Sequence, residues 1–263
     1  MKKISFLLAA TVIVFSCNES KQDAPKNTDW LSDNLSGSVE QITDSTYKTD
    51  STGKMGELDS CCVVSTKYDE KGYSSAYTSI DKAGTDKNEG TFTHDEKGLF
   101  TGQKSTKNGK PMSSLTVQNK DGKYSDAQSF DSTNKMDSYY TDITANDYGR
   151  ITAFKQFKPD STLKMSMTFN YNNQFLKDQS AKDSAGKETS TYAQTFDDKN
   201  NVIESTYKEI KTDSTKKDTT ITTVTKYRFD TFDDKGNWTQ RTETDKDGKP
   251  VKIVKRTITY YKE

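Results

Sequence analysis

The chain of 263 residues has a single histidine, three cysteines and no net charge, 39 basic residues balancing 39 acidic ones. Leu, Ile, Val and Phe together supply only about 16% of it, and mean hydropathy is −0.99. Each shortage excludes something. So little aliphatic bulk cannot fill the thick core of a compact bundle. One His, without a CxxC pair, leaves no clustered metal site and no Ser-His-Asp arrangement that could be argued from the chain. Glycine-rich phosphate loops are absent. Lysine alternates with Asp and Thr, as in "TDSTKKDTT" (212–220), so no basic stripe for nucleic acid is formed. Disorder is the reading that low hydropathy invites, but balanced charge with 14 Tyr, 12 Phe and 2 Trp argues against it. A thin, wet, strand-rich structure fits this composition.

The one long apolar run, Ile4 to Phe15, is too short to span a bilayer and has the length of a signal-peptide core. Lys2 and Lys3 precede it, and Val14-Phe15-Ser16-Cys17 ends it. This pattern resembles the bacterial lipobox, which implies cleavage before Cys17 and acylation of that residue. Residues 1–16 are then a lipoprotein signal peptide, and losing Lys2 and Lys3 leaves a net charge of −2. Several acyl chains on one Cys anchor a protein without a transmembrane helix. Asn18 follows the Cys in place of Asp, so outer-membrane attachment is expected, on either face. Residues 17–34 lack apolar periodicity and read as a tether, and 35–263 as the folded domain. Cys61 and Cys62 remain; neighbours in a strand point to opposite faces, so an inert structural role is the first expectation, with a strained vicinal disulfide or an intermolecular bridge as the alternatives.

From Leu35 onward, stretches rich in Thr, Ser, Tyr, Phe and Val alternate with Gly, Asn and Asp clusters. One series of corners runs "YDEKG" (ending at Gly72), "HDEKG" (Gly98), "NKDG" (Gly122), "NDYG" (Gly149), "YNNQF" (Phe175), "FDDKN" (Asn200) and "FDDKG" (Gly236), in steps of 26, 24, 27, 26, 25 and 36 residues. The last step is long because "TDSTKKDTT" is expected to lengthen one turn. A second series lies between: "DKAG" (81–84), "KNGK" (107–110), "DSTNK" (131–135), "PDST" (159–162), "DSAGK" (183–187) and "KDGK" (246–249). Each unit of about 25 residues is therefore two strands and two turns. Gly and Asn supply the positive φ that tight hairpins require. Period-two alternation puts Met165, Met167, Phe169 and Tyr171 on one face, then Tyr192, Gln194 and Phe196, then Tyr227 and Phe229 before a shift at Phe232.

The cassette of aromatic, Asp, two variable residues and Gly looks like the YD repeat of rearrangement-hotspot (Rhs-type) proteins, over about residues 60–263. The ending from Phe232 to Tyr261 is similar to the terminal segment of uncharacterised bacterial lipoproteins with such repeats. No aromatic leads the cassette at Gln118-Asn119 or Ala145-Asn146. The resemblance implies a long curling β-meander.

The expectation is an all-β antiparallel meander of roughly sixteen strands, forming a single curled sheet with one aromatic-lined face and one face of Thr, Lys, Asp and Ser. Its two edges would be residues 36–47 and 252–261. A membrane-spanning barrel is excluded, because the lipid side must stay apolar across about 25 Å and strands such as "LKDQSAKDS" (176–184) cannot supply that. His94 occupies an aromatic slot and reads as a turn-flanking ring. Asp197-Asp198 and Asp233-Asp234 read as turn formers, since neighbouring carboxylates diverge and no EF-hand spacing surrounds them. No cofactor is expected. The rings of Tyr73, Tyr77, Tyr139, Tyr140, Tyr192, Tyr207, Tyr227, Trp238 and Tyr260 pair across strands or face a ligand. Function is expected to be non-catalytic: an outer-membrane-anchored binding or scaffold module, with a polysaccharide or protein as ligand. The alternative is a carrier of lipid or lipoprotein.

Overall fold

The computed structural model describes residues 27–50, 52–212 and 218–262. A single turn of helix, α1 (Asp29–Ser32), precedes sixteen strands. These are β1 (Val39–Thr49), β2 (Met55–Tyr68), β3 (Ser74–Ile80), β4 (Lys87–His94), β5 (Phe100–Lys107) and β6 (Lys110–Lys120). There follow β7 (Lys123–Phe130), β8 (Met136–Ala145), β9 (Ile151–Phe157), β10 (Leu163–Asn172) and β11 (Phe175–Asp183). The last are β12 (Glu188–Phe196), β13 (Val202–Thr212), β14 (Asp218–Phe232), β15 (Trp238–Thr244) and β16 (Pro250–Tyr260).

Every strand pairs antiparallel with its chain neighbours, and β1 also pairs with β16, from Val39↔Tyr260 to Lys48↔Lys252. The sheet is a closed barrel. This corrects the expectation of a single curled sheet with free edges at 36–47 and 252–261. Closure satisfies both rows of edge amides and carbonyls at once. Arg256 locks the seam by donating Nε and Nη2 to the two oxygens of Asp44 at 2.8 and 2.7 Å.

The corners form by one local mechanism. In "FDDKG" the Asp233 amide donates to Asn237 O and the Gly236 amide to Asp233 O. Asp233 Oδ1 accepts from the amides of Lys235 and Asn237 at 3.0 and 2.9 Å. Gly236 sits at φ +87°, the left-handed position that closes a three-residue hairpin with a bulge. The same carboxylate grip recurs at Asp69, Asp95, Asp183, Asp197 and Asp245, and Asn146 does it with its amide oxygen. The bulge explains the register shift beside each corner. The long step before Gly236 is mostly absorbed by strand: β13 and β14 pair from Glu204↔Lys226 out to Thr212↔Asp218. Residues 213–217 of that turn lie outside the described residues.

Because directly opposed residues share a face, the ladder sorts inside from outside. Ile42, Thr66, Tyr77, Gly90 and Ser105 are successive partners on one face; Tyr140, Gln156 and Met165 are too; so are Gln179, Tyr192, Tyr207 and Thr223. This face is the lumen, since cavities inside the barrel are lined by Ile42, Phe92, Phe154, Tyr171, Gln194 and Phe229. Many outer partners are polar, as in Glu89↔Thr106 and Glu204↔Lys226, with isolated apolar outer pairs at Val63↔Ile80 and Tyr139↔Phe157. Polarity is thus inverted relative to a barrel that sits in lipid. Sixteen strands enclose a lumen wide enough for water and ligand.

Candidate functional site

One mouth of the barrel is crossed by the described part of the stretch expected to be a tether. Residues 27–37 run over the rim that carries the first series of corners and are tied to it at several points. The amides of Asp29 and Trp30 donate to Gly72 O at 2.9 and 3.1 Å. Asn27 Nδ2 donates to Lys97 O at 3.2 Å, and Asn34 Nδ2 to Lys199 O at 3.0 Å. Ser36 exchanges two bonds with the Asn237 side chain, at 2.7 and 2.9 Å. Trp30 donates its indole N–H to Val39 O at 2.8 Å and packs with Leu35, Val39, Ile42, Tyr68, Ile258 and Tyr260. Together they form a buried apolar knot. No composition signal announces it, because its residues are scattered and the stretch is polar overall.

Arg150 reaches from the β8–β9 corner into this strap. It donates Nη1 to Asp29 Oδ1 at 2.9 Å and Nη2 to the Thr28 carbonyl at 2.7 Å. The other oxygen of Asp29 accepts the Ser74 amide at 2.7 Å. Asp33 receives the Tyr68 hydroxyl at 2.6 Å. Asp33 is exposed to the open space of the lumen, with protein massed around that space. Desolvation raises its carboxyl above the ordinary range, against the opposing pull of the Tyr68 bond. Tyr68 is pushed upward by burial and then by the Asp33 charge, so it stays a hydrogen-bond donor.

Behind the strap lie two adjoining cavities that share Arg150 and Tyr171 in their linings. The first, of about 380 Å³, is walled by Phe92, Phe100, Phe154, Phe169 and Tyr124, with His94 and Asp29 at the strap end. The second, of about 570 Å³, mixes Phe196 and Phe229 with Asp33, Gln174, Gln194, Asn200 and Arg241. Beneath it Trp238 is buried, with the guanidinium of Arg256 3.7 Å and that of Arg241 4.9 Å from its ring centre.

His94 stacks on Tyr73 with ring centres 5.1 Å apart and stands edge-on to Phe100. Burial lowers its pKa, with Asp29 pulling the other way. Its Nε2 lies 3.9 Å from Asp29 Oδ2, beyond hydrogen-bond range, and among the described residues no hydroxyl is bonded to it. Asp197 and Asp233 shape corners, while Asp198 and Asp234 point to solvent from the second turn position. For Asp233, desolvation would raise the carboxyl, but the bonds from Tyr260 and from two amides outweigh it and hold it low. Its partner Tyr260 is pushed up to about 12 by burial and by that bond. Of the rings singled out in the sequence, Tyr77, Tyr140, Tyr192, Tyr207 and Tyr227 share the lumen face. Tyr139 faces outward and stacks on Phe157 at 5.2 Å. Among the described residues no group of three His, Cys, Asp or Glu side chains is placed to hold a metal ion. Cys17 lies outside the described residues. Cys61 and Cys62 fall in β2, and their side chains are outside the described part. No described helix is long and apolar enough to cross a membrane.

No protein-family model matches the chain, and no curated protein matches it. Solved structures that align with it include a porin-like protein from Bacteroides uniformis, 15% identical over 84% of this chain and 96% of its own, with a TM-score of 0.39. TcdB2-TccC3 without its hypervariable C-terminal region is 12% identical, over 82% of this chain but 12% of its own, at 0.29. A DUF1329 family protein from Desulfovibrio piger is 12% identical over 85% and 86%, at 0.24. Alignments this loose place no ligand or residue role on the present chain.

Proposed function

We propose that this protein is a non-catalytic envelope lipoprotein, held at the outer membrane through acylated Cys17, whose barrel stands in water and carries an apolar or amphipathic ligand in its lumen. The carrying observation is the inverted wall. Phenylalanines line the inner cavity where the outer face presents Glu, Lys, Asp and Thr. A wall built that way gains nothing from lipid outside, but it can shelter apolar surface inside. The lipobox and the corner repeat that resembles the YD cassette agree with an envelope role. Absence of catalysis is supported by the lone His94, which stacks on a ring and lacks a bonded nucleophile. Residues 27–262 contain the strap and the whole closed barrel, so a chain starting at Asn18 keeps everything the fold uses.

Two measurements test the proposal. Palmitate labelling in cells should mark the wild-type chain and not Cys17→Ala, and cell fractionation should lose the membrane-bound form with it. The chain from Asn18 should take up the neutral dye N-phenyl-1-naphthylamine with enhanced fluorescence. Phe169→Asp, on the lumen wall, should abolish uptake, while Phe157→Asp, on the outer wall, should not. Equal uptake by both variants, or none by the parent, would count against a lumenal carrier.

A further inference from the structure

The two cavities differ in chemistry, and the difference narrows the ligand. Arginines around the second cavity suggest an anion site at first sight, yet each is already matched. Arg256 is held by both oxygens of Asp44, Arg150 by Asp29, and Arg241 gives Nη2 to Glu243 at 2.8 Å. No surplus positive charge is left to repay the desolvation of a phosphate or carboxylate.

What remains open there is a set of flat hydrogen-bonding edges. Gln194 spends its Nε2 on Tyr192, and among the described residues its carbonyl accepts no hydrogen bond. The side chains of Gln174 and Asn200 make no hydrogen bond among the described residues, and Asp33 offers the oxygen that Tyr68 does not occupy. Phe196, Phe229 and Tyr171 stand half-buried beside them. Planar donors and acceptors suit the paired hydroxyls of a pyranose, and ring faces suit its C–H side. Trp238 is buried under two guanidiniums and supports the site from behind.

We infer that the second cavity is a sugar subsite for an uncharged pyranose head group. The attached chain passes Arg150 and Tyr171 onto the phenylalanine wall, so the ligand is a glycolipid. This rests on the lumenal carrier proposed above.

The test is titration calorimetry of the chain from Asn18 with three dodecyl probes, each below its micelle-forming concentration: the maltoside, the octaethylene glycol ether and the phosphate. The maltoside should bind tighter than either other probe by about tenfold or more. Gln194→Leu with Asn200→Ala should erase most of that preference and leave glycol ether affinity unchanged, a control that also shows the variant is folded. Equal binding of all three probes, or preference for the phosphate, overturns the sugar subsite and leaves the carrier standing. Binding of none overturns both.

Discussion

Asp44→Asn is the sharpest probe of closure. Arg256 is 9% exposed and Asp44 23%, and they meet through two short bonds across the β1–β16 seam. Removing one partner of a fully buried pair costs about 3–5 kcal/mol, since a charge is left without compensation. Partial exposure of Asp44 to lumen water, and retention of the Arg256 contact with Trp238 at 3.7 Å, reduce this to about 2–3 kcal/mol. For a chain of this size that corresponds to a fall of about 4–6 °C in Tm. The assay is thermal unfolding of the chain from Asn18, followed by far-UV circular dichroism at neutral pH. Arg256→Met should be damaging alone, but combined with Asp44→Asn it should recover most of the loss, because an apolar side chain over Trp238 needs no counter-charge. A Tm within about 1 °C of wild type for Asp44→Asn would refute the view that this pair clamps the seam. So would simple additivity in the double variant.

Other consequences follow from the same geometry. Arg150→Met removes charge-assisted bonds of about 1.5–3 kcal/mol, so amide exchange across residues 28–36 should quicken by roughly 10–100-fold while exchange in mid-barrel strands stays put. Gly90→Val places a Cβ 2.0 Å from the Tyr77 ring and should cost about 1–3 kcal/mol by overpacking. Gly236→Ala meets nothing within 4 Å and should cost only the left-handed backbone penalty of about 1–2 kcal/mol, both read by urea denaturation. Asp33 has a folded pKa above its ordinary 3.8, so the folded chain holds that proton more tightly than the unfolded one. Its contribution is therefore present below pH 3.8 and lost as pH rises through the folded value. Against Asp33→Asn, wild type should gain relative stability on acidification across that window; a constant difference between the two Tm profiles would contradict it.

Local rules carried much of this fold. Asp at the head of a corner and Gly three residues later are enough to close a bulged hairpin, because every bond involved lies within five residues, as at Asp233–Asn237. Alternation told which side chains travel together: Met167, Phe169 and Tyr171 do share the lumen face. Strand number followed from counting corners, and the exposure of Asp198 and Asp234 followed from their place in the turn.

Closure and content were decided elsewhere. Whether β1 meets β16 depends on twist and stagger summed over sixteen strands, a quantity that no single hairpin encodes. The argument against a lipid-facing barrel rested on polar residues in the strands, and it left open a closed barrel whose aromatic face turns inward. The strap was illegible for a similar reason. Asn27, Asp29, Asp33 and Asn34 find their partners between 35 and 167 residues away in the chain, so in the linear sequence they look like the polar composition of a tether. Sequence alone set the corners, the strands and the two faces, since those are short-range matters of φ and pleat. Only the tertiary structure chose which face turned inward and what closed the mouth, since both depend on the ends of the chain meeting.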